Sequence, residues 1–319
     1  MPKVSVIIPV YGVEKYIERC ARSLFEQTLN DIEYIFVDDC SPDKSIEILE
    51  RIIEEYRPRF AGEKKVVRIE RMLTNSGLAA VRKHGIQFST GDYVIHCDSD
   101  DWVDMDMYRI MYEEAKRTDA DIVMCGYKAT DGVKVFKECY HQQTNKAKLL
   151  SSLLILHESW SVWNKMCKRS LYDSDIVYPT LAMGEDMVLT TQMVLNAQRI
   201  AVVNKALYNY FYNPNSITKV QSESSRYNHW KDSAENAKMV FSIFKKKGLE
   251  YKYANELGYL KFLQKELAGD LARKKKYSKE WLEMFQEINL RTFSNPFISN
   301  SRKLKFLVKL LYAEILNVI

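Results

Sequence analysis

Three short acidic segments hold the residues whose types and spacing could do chemistry. The first is Asp98-Ser99-Asp100-Asp101, directly after the apolar run Tyr93-Val94-Ile95-His96-Cys97. In an extended chain, residues two apart share a face, so Asp98 and Asp100 are expected to point at one ligand. Neighbouring carboxylates repel unless a cation lies between them. Oxygen-only ligands suit Mg²⁺ or Mn²⁺, which are held by one or two carboxylates and completed by substrate phosphates. The alternative is a cap on a helix opening near Asp104, where Asp100 or Asp101 would face the positive helix end. The second segment is Val37-Asp38-Asp39-Cys40-Ser41-Pro42-Asp43. A carboxylate at a strand end can accept from a base N–H or a ribose hydroxyl. Ser41 and Asp43 read as turn and cap residues for the next helix, and Asp39 as the ligand residue. The third is Met183-Gly184-Glu185-Asp186-Met187. Group transfer to a hydroxyl needs a base to take the proton, and a partly apolar setting can raise a carboxylate's pKa toward the working range. Here the alternative is capping of a helix that runs on through Val188, Leu189 and Gln192.

The elements around these segments must place them together. Val4–Val10 is β-rich and apolar on both faces, as a central parallel strand would be. Residues 14–28 carry Ile17, Cys20, Ala21, Leu24 and Phe25 at helical spacing. Strands are expected at Ile32–Val37, Val66–Ile69 and Tyr93–Cys97, with helices from Asp43 to about Tyr56 and over about 78–88. Alternating strands and helices make an α/β domain with a largely parallel sheet. Ligands of such sheets bind beyond the strands' carboxyl ends, and the first two acidic segments both fall there. The pattern weakens after Tyr127. Leu149–Leu156 reads as helix and Leu207–Tyr212 as a late aromatic strand, ended by Asn213-Pro214-Asn215-Ser216. From about residue 226 the pattern is helical, with one stripe at Ala237, Val240, Phe241 and Phe244 before Gly248. Another runs through Tyr253, Leu257, Leu260, Leu263, Leu267 and Leu271. The boundary between a catalytic domain and a helical extension is expected near 220–228.

The chain has 319 residues, enough for one large core or two modest ones. No apolar run reaches the length a membrane span needs, and the first residues lack a signal-peptide pattern. The six cysteines form no CxxC pair, and the five histidines have no metal-ligand spacing, so reduced, mostly buried thiols in a cytoplasmic protein are expected. Residues 1–225 hold 28 Lys+Arg against 32 Asp+Glu, and residues 226–319 hold 19 against 10, so charge is −4 in the first part and +9 in the second. A basic tail favours nucleic acid, anionic lipid or a partner protein. No aromatic-basic recognition motif supports nucleic acid. In the tail, Leu304, Leu307, Val308, Leu311, Ile315 and Val318 share a helical face beside Arg302, Lys303, Lys305 and Lys309. Such a helix either lies in a membrane interface or packs its apolar face on protein.

Taken in order, these pieces resemble the family-2 glycosyltransferases of the GT-A fold. The resemblance runs over roughly residues 3–215. It is carried by Val4-Ser5-Val6-Ile7-Ile8-Pro9-Val10-Tyr11, Gln27-Thr28, Val37–Asp43, Asn75-Ser76-Gly77, Ala80-Val81-Arg82, Gly91-Asp92-Tyr93, Asp98–Asp101 and Gly184-Glu185-Asp186. Trp163-Asn164-Lys165 and Tyr208-Asn209-Tyr210 look like members that build capsule, exopolysaccharide or lipid-linked glycans. The resemblance implies a GT-A domain over 1–222, with nucleotide-sugar binding over about 1–105 and acceptor and base functions over about 106–222, and a helical extension over 223–319. It implies that Pro9, Val10 and Tyr11 line the base and ribose pocket and that Asp39 accepts the N3–H of a uracil. Asp98 and Ser99 would lie near the nucleotide, and Asp100 would ligate Mn²⁺ or Mg²⁺. Asp186 would be the base, supported by Glu185. Arg82 would approach the nucleotide, or make an ion pair on the helix. Lys165 would touch diphosphate or acceptor, with a surface lysine as the alternative. Trp163 would stack on a sugar, or sit in the core. The implied reaction is inverting transfer from a UDP-sugar to a glycan or lipid-linked glycan, in the cytoplasm or on the inner membrane face.

Two departures narrow this. Gln192 is followed by Met193-Val194-Leu195-Asn196, with no Gln-x-x-Arg-Trp, which argues against a processive synthase. Lys83 follows Arg82 where the family often has asparagine. A haloacid-dehalogenase-like phosphatase also uses Asp-x-Asp after a strand, but on its first strand and often with a following threonine. A dinucleotide dehydrogenase would need Gly-x-Gly-x-x-Gly where this chain has Tyr11-Gly12-Val13-Glu14. A catalytically inactive nucleotide-sugar-binding module is the non-enzymatic alternative.

Overall fold

The computed structural model of the chain describes residues 1–173, 175–213 and 222–318. Strand β1 (Val4–Val10) is buried at every position but Pro9, as its apolar run requires. It pairs in parallel with β2 (Ile32–Asp38) in register Val4↔Ile32 to Val10↔Asp38, and with β4 (Tyr93–His96) in register Val4↔Tyr93 to Ile7↔His96. Strand β3 (Lys65–Arg71) lies outside β2, also parallel. Helices α1 (Ile17–Phe25), α2 (Ser45–Glu63) and α3 (Leu78–Phe88) are the crossovers. The order β3-β2-β1-β4 means that the chain builds outward on one side of β1 and then returns to the other. The carboxyl ends of β1 and β4 therefore flank a topological switch point, where open α/β sheets bind ligands.

The sheet continues through β8 (Lys165–Lys168), β6 (Ile122–Thr130), β9 (Ile200–Phe211) and β5 (Trp102–Val103), with β7 (Val135–Cys139) paired to β6. Here β6 and β9 run parallel, while β8 is antiparallel to both β4 and β6. Helix α4 (Met107–Thr118) buries Met107, Tyr108, Met111 and Ala115. Among the described residues the remaining α-helices are α5 (Lys146–Leu154), α6 (Ser170–Asp173), α7 (Glu185–Asn196), α8 (Glu223–Lys246), α9 (Ala254–Leu267), α10 (Lys275–Glu283), α11 (Ile288–Arg291) and α12 (Asn300–Val318).

One polar knot fixes the start of β4. Glu33, buried on β2, accepts from Ser5 Oγ at 2.5 Å, Thr90 Oγ1 at 3.0 Å and Gly91 N at 3.2 Å. A Cβ at Gly91 would stand 2.8 Å from the Ser5 backbone nitrogen. Glycine is therefore what lets the chain approach β1 closely enough to add β4.

The chain forms two compact units: Met1–Leu149 with Trp160–Thr180 and Leu189–Pro214, and Leu150–Ser159 with Leu181–Val188 and Asn215–Ile319. The sheet belongs to the first. The expected turn Asn213-Pro214-Asn215-Ser216 and the start of the expected boundary fall largely in 214–221, outside the described residues. In the second unit, Ala237, Val240 and Phe244 are buried on α8, and Gly248 takes a φ of +67° just past its end. The stripe expected on α9 is only partly the buried one. Leu257 and Leu260 are buried, but Leu267 is exposed and Phe262, Gln264 and Lys265 turn inward. The reason is polar. Lys265 Nζ donates to the Trp281 and Leu282 carbonyls at 2.7 and 3.2 Å, and Ser233 Oγ donates to Gln264 Oε1 at 2.7 Å. These bonds occupy helix-end and side-chain acceptors that burial would otherwise leave unmade.

Four cysteines, Cys20, Cys97, Cys125 and Cys167, are buried, Cys139 is half-buried and Cys40 is exposed, all as free thiols. Burial pushes the thiols of Cys125 and Cys167 up to about 12, which marks them as inert core residues.

Candidate active site

Strand β1 prepares the switch point. The Ile7 carbonyl accepts from Cys97 N at 2.9 Å and the Val10 carbonyl from Asp39 N at 3.0 Å. Backbone groups alternate sides along a strand, so Pro9 faces the β4 side just beyond the end of β4. A proline, which has no N–H, leaves no donor unmet there. Tyr11 is half exposed beyond it. The loop after β1 is pinned to the loop after β2. Gly12 N donates to Ser41 Oγ, Val13 N to Ser45 Oγ and Glu14 N to Asp43 Oδ2. Asp43 Oδ1 also accepts from Ser45 N at 3.1 Å, but the N-cap position of α2 is Lys44, which has no side-chain cap bond, so neither Ser41 nor Asp43 is the expected cap.

Asp39 is buried, and its carboxylate takes two backbone donors: Ser76 N at 2.7 Å and Gly77 N at 2.9 Å. It thereby holds the Asn75-Ser76-Gly77 turn, which opens α3 with Gly77 at a φ of +79°. From the following turn of α3, Arg82 Nη2 reaches Asp98 Oδ1 at 2.7 Å, and the arginine is itself buried. Asp39, Arg82 and Asp98 thus lie along one connected path. Beside Arg82, His96 is buried against the Tyr172 ring, 6.5 Å away. Burial and then the charge of Arg82 hold its pKa well below the ordinary histidine range, so it is neutral.

Asp98–Asp101 is not extended. Asp101 N donates to the Asp98 carbonyl at 3.0 Å, closing a turn. The argument from residues two apart on a strand therefore does not apply. The cause is Asp101, whose carboxylate is drawn inward by Tyr208 Oη at 2.6 Å and Phe211 N at 2.7 Å. The Tyr208 hydroxyl in turn accepts from Asp98 N at 3.1 Å. Burial, and then the charges of Asp100 and Asp98, push the Asp101 carboxyl well above the usual range. Ser99 is buried within the turn. Asp100 is partly buried and accepts from Asn213 Nδ2 at 2.9 Å. Burial is the main cause that raises its carboxyl, with the nearby charge of Asp98 adding to it against the Asn213 bond.

Three contributors escaped the sequence reading. Arg19 on α1 donates to the Asp100 carbonyl at 2.8 Å while its guanidinium stacks 3.8 Å from the Trp102 ring centroid and 4.5 Å from that of Phe211. Asn213 had signalled only a turn, and Tyr208 an aromatic strand and a piece of the family resemblance with no role at the acidic segment. No local pattern links these residues to an acidic segment roughly a hundred positions away.

Trp163 lies in an aromatic stack, 4.2 Å from Tyr208 and 5.8 Å from Tyr210, with Tyr127 edge-on at 5.0 Å. It is buried, as is Lys165, whose ammonium donates to the Ser161 carbonyl at 2.8 Å and to Asn164 Oδ1 at 3.1 Å. Trp163→Ala is expected to destabilise the chain by about 3–5 kcal/mol in urea unfolding, the usual scale for a buried aromatic. A loss below about 1 kcal/mol would mean that the indole does not hold this core together.

The third segment belongs to the second unit. Glu185 and Asp186 open α7, after Gly184 at a φ of +78°. Asn236 Nδ2 on α8 holds the preceding loop through the Leu181 and Met183 carbonyls at 3.0 and 2.8 Å. Glu185 is buried, and Asp186 is half-buried with Oδ1 accepting from Met187 N at 2.9 Å.

Among the described residues, no group of three His, Cys, Asp or Glu side chains is set to hold a metal by itself. A cation bound by one or two carboxylates and completed by phosphate oxygens and water does fit the Asp98–Asp101 turn. Its donors are all oxygen, and Asp100 carries a burial and like-charge strain that a cation would relieve.

Residues 5–180 match the family model "Glycosyl transferase family 2", a span that stops short of Glu185 and Asp186. The chain is 32% identical over 250 residues to the uncharacterized glycosyltransferase EpsJ of Bacillus subtilis, covering 76% of this chain and 70% of that protein. It is 32% identical over 214 residues to the poly(ribitol-phosphate) beta-glucosyltransferase of Bacillus spizizenii, covering 66% of this chain but only 32% of that longer protein. Among solved structures, Staphylococcus aureus TarS 1–349 in complex with UDP-GlcNAc superposes with a TM-score of 0.73 at 20% identity, covering 99% of this chain and 90% of that one, a likeness of fold. This chain is a glycosyltransferase of the GT-A fold, with a helical C-terminal region, and it belongs to glycosyl transferase family 2.

Proposed function

We propose that the chain transfers a sugar, with inversion, from a UDP-sugar to a hydroxyl of a glycan or lipid-linked glycan, with Mn²⁺ or Mg²⁺ bound at Asp100. The observation that carries this reading is the acidic turn at the switch point, joined through Arg82 and α3 to the buried Asp39. In this reading the nucleotide enters over Pro9, Val10 and Tyr11. Asp39 accepts from the uracil through a lone pair left over after its two backbone bonds. Asp98, set by Arg82, faces the ribose with Ser99. Asp100 holds the metal, with Asn213 and Arg19 fixing the turn around it. When bound, the metal supplies positive charge against the diphosphate leaving group.

Asp186 is proposed as the base. Its carboxylate takes the proton of the acceptor hydroxyl, whose oxygen forms the new bond to the anomeric carbon. The bond from that carbon to the diphosphate oxygen breaks as UDP leaves with the electron pair. Its place at the start of α7, in a loop braced by Asn236, supports a fixed carboxylate there. Glu185, buried beside it, is read as support. The UDP-GlcNAc in the TarS structure supports a uridine donor as the first to try. A lipid-linked acceptor would be met at the inner membrane face.

The test is thermal stabilisation by a panel of nucleotide sugars with Mn²⁺. A donor at a hundred times its Kd adds about 2.7 kcal/mol to native stability. UDP-sugars are expected to raise Tm in the presence of Mn²⁺. A panel in which no uridine nucleotide shifts Tm would overturn the donor assignment.

A further inference from the structure

Helix α12 is apolar on two opposite faces, one buried and the other exposed. At 100° per residue, Phe306, Leu310 and Ala313 fall on one side and are buried. Phe306 packs 5.3 Å from Phe262 and 5.6 Å from Trp281. Asn317 Nδ2 donates to Ser278 Oγ on α10 at 2.9 Å, and Arg302 pairs with Glu266 on α9. Leu304, Val308, Leu311, Tyr312, Ile315 and Val318 fall on the opposite side and are 47 to 88% exposed. The helix is thus docked by a stripe that was not the one its strongest leucine pattern marked.

The exposed stripe has a charged frame. Lys303 and Lys305 lie about 100° to either side of its leading Leu304, and Lys309 follows one turn after Lys305. Glu314 is the one acid on the helix. Next to α12 in the fold, the turn before α10 and the start of α10 present Arg273, Lys275, Lys276 and Lys279, all exposed. A second copy of this chain would bring like charge to such a surface, since residues 226–319 carry 19 Lys+Arg against 10 Asp+Glu. An anionic bilayer brings opposite charge, and lysine stems can run along the apolar surface while their ammonium groups reach the headgroups. No described helix is long and apolar enough to cross a membrane, so the surface fits a helix lying in the interface.

We infer that the outer face of α12, with the basic start of α10 beside it, docks the chain on an anionic lipid surface. The inference is independent of the sugar chemistry proposed above. The test is co-sedimentation of the full chain with phosphatidylcholine vesicles, with and without about 30% phosphatidylglycerol. At about 50 mM NaCl the chain is expected to sediment with the anionic vesicles, at least tenfold more tightly than with neutral ones, and to lose at least tenfold at about 500 mM NaCl. Leu311→Asp with Ile315→Asp, at exposed positions, is expected to weaken vesicle binding at least tenfold. Lys303→Glu with Lys305→Glu should do the same, with circular dichroism and UDP-dependent Tm unchanged in both variants. A chain that stays in the supernatant at low salt overturns the inference, as do Asp variants that bind like the parent. A dimer in light scattering that the Asp variants dissolve would assign the face to a second copy instead. A missing UDP-dependent Tm shift alongside intact vesicle binding would sink the donor reading and leave this one standing.

Discussion

Asp100→Ala is expected to lose about a hundredfold of Mn²⁺-dependent UDP affinity, roughly 2.7 kcal/mol, and to keep its fold. Both halves follow from the turn. Of the turn's three carboxylates, Asp100 is the one tied to a neutral side-chain amide rather than to a buried arginine or to two donors. Its side chain takes one bond, from Asn213, while Asp98 is tied to Arg82 and Asp101 to Tyr208 and Phe211 N. Its carboxylate is disfavoured by burial and by Asp98, so removing it relieves like-charge repulsion as it removes one hydrogen bond. Stability should change by less than about 1 kcal/mol, with either sign. Removing the anchor for a cation next to the diphosphate should weaken UDP only when metal is present. Isothermal titration with Mn²⁺ and with EDTA separates these effects. Equal Mn²⁺-dependent affinity in parent and variant would take Asp100 out of the metal's coordination.

The second large effect is expected at Asp186. Asp186→Asn should lower kcat for transfer by about 10²–10⁴, the usual scale of general-base catalysis, with UDP affinity unchanged. The substitution keeps shape, and its amide oxygen can still accept from Met187 N, the bond that Asp186 Oδ1 makes. What it removes is the ability to take a proton. A pH profile adds a readout that packing would not move: the acidic limb of kcat should vanish in the variant. Transfer at the parental rate would pass the role to Glu185 or to another group.

Much of the first half of the sheet was legible because its signals are local. A buried parallel strand must be apolar on both faces, and Val4–Val10, Ile32–Val37 and Tyr93–Cys97 announce that. Acidic residues directly after such runs then fall at the carboxyl ends by topology alone. The conformation of Asp98–Asp101 was not legible, because a buried tyrosine hydroxyl on β9 decides it, and β9 comes a hundred residues later. The same holds for Arg19, whose role depends on Trp102 and Phe211 closing over it. The antiparallel insertion of β8 between β4 and β6 leaves no trace in periodicity either. On α9 the leucine pattern misled, since Leu267 is exposed while Lys265 and Gln264 are buried. Burial there follows from hydrogen-bond partners on other helices, which no single-helix pattern encodes.

In the proposed reaction the chain activates a UDP-sugar with a metal at the Asp98–Asp101 turn and inverts the anomeric carbon. The most direct measurement is proton NMR of UDP-GlcNAc incubated with the chain and Mn²⁺, following UDP release and the anomer first formed. Release is expected to stop with EDTA and in Asp100→Ala, with a β-configured first product from the α-linked donor. Release that persists in EDTA, or an α product formed first, would contradict the proposed reaction.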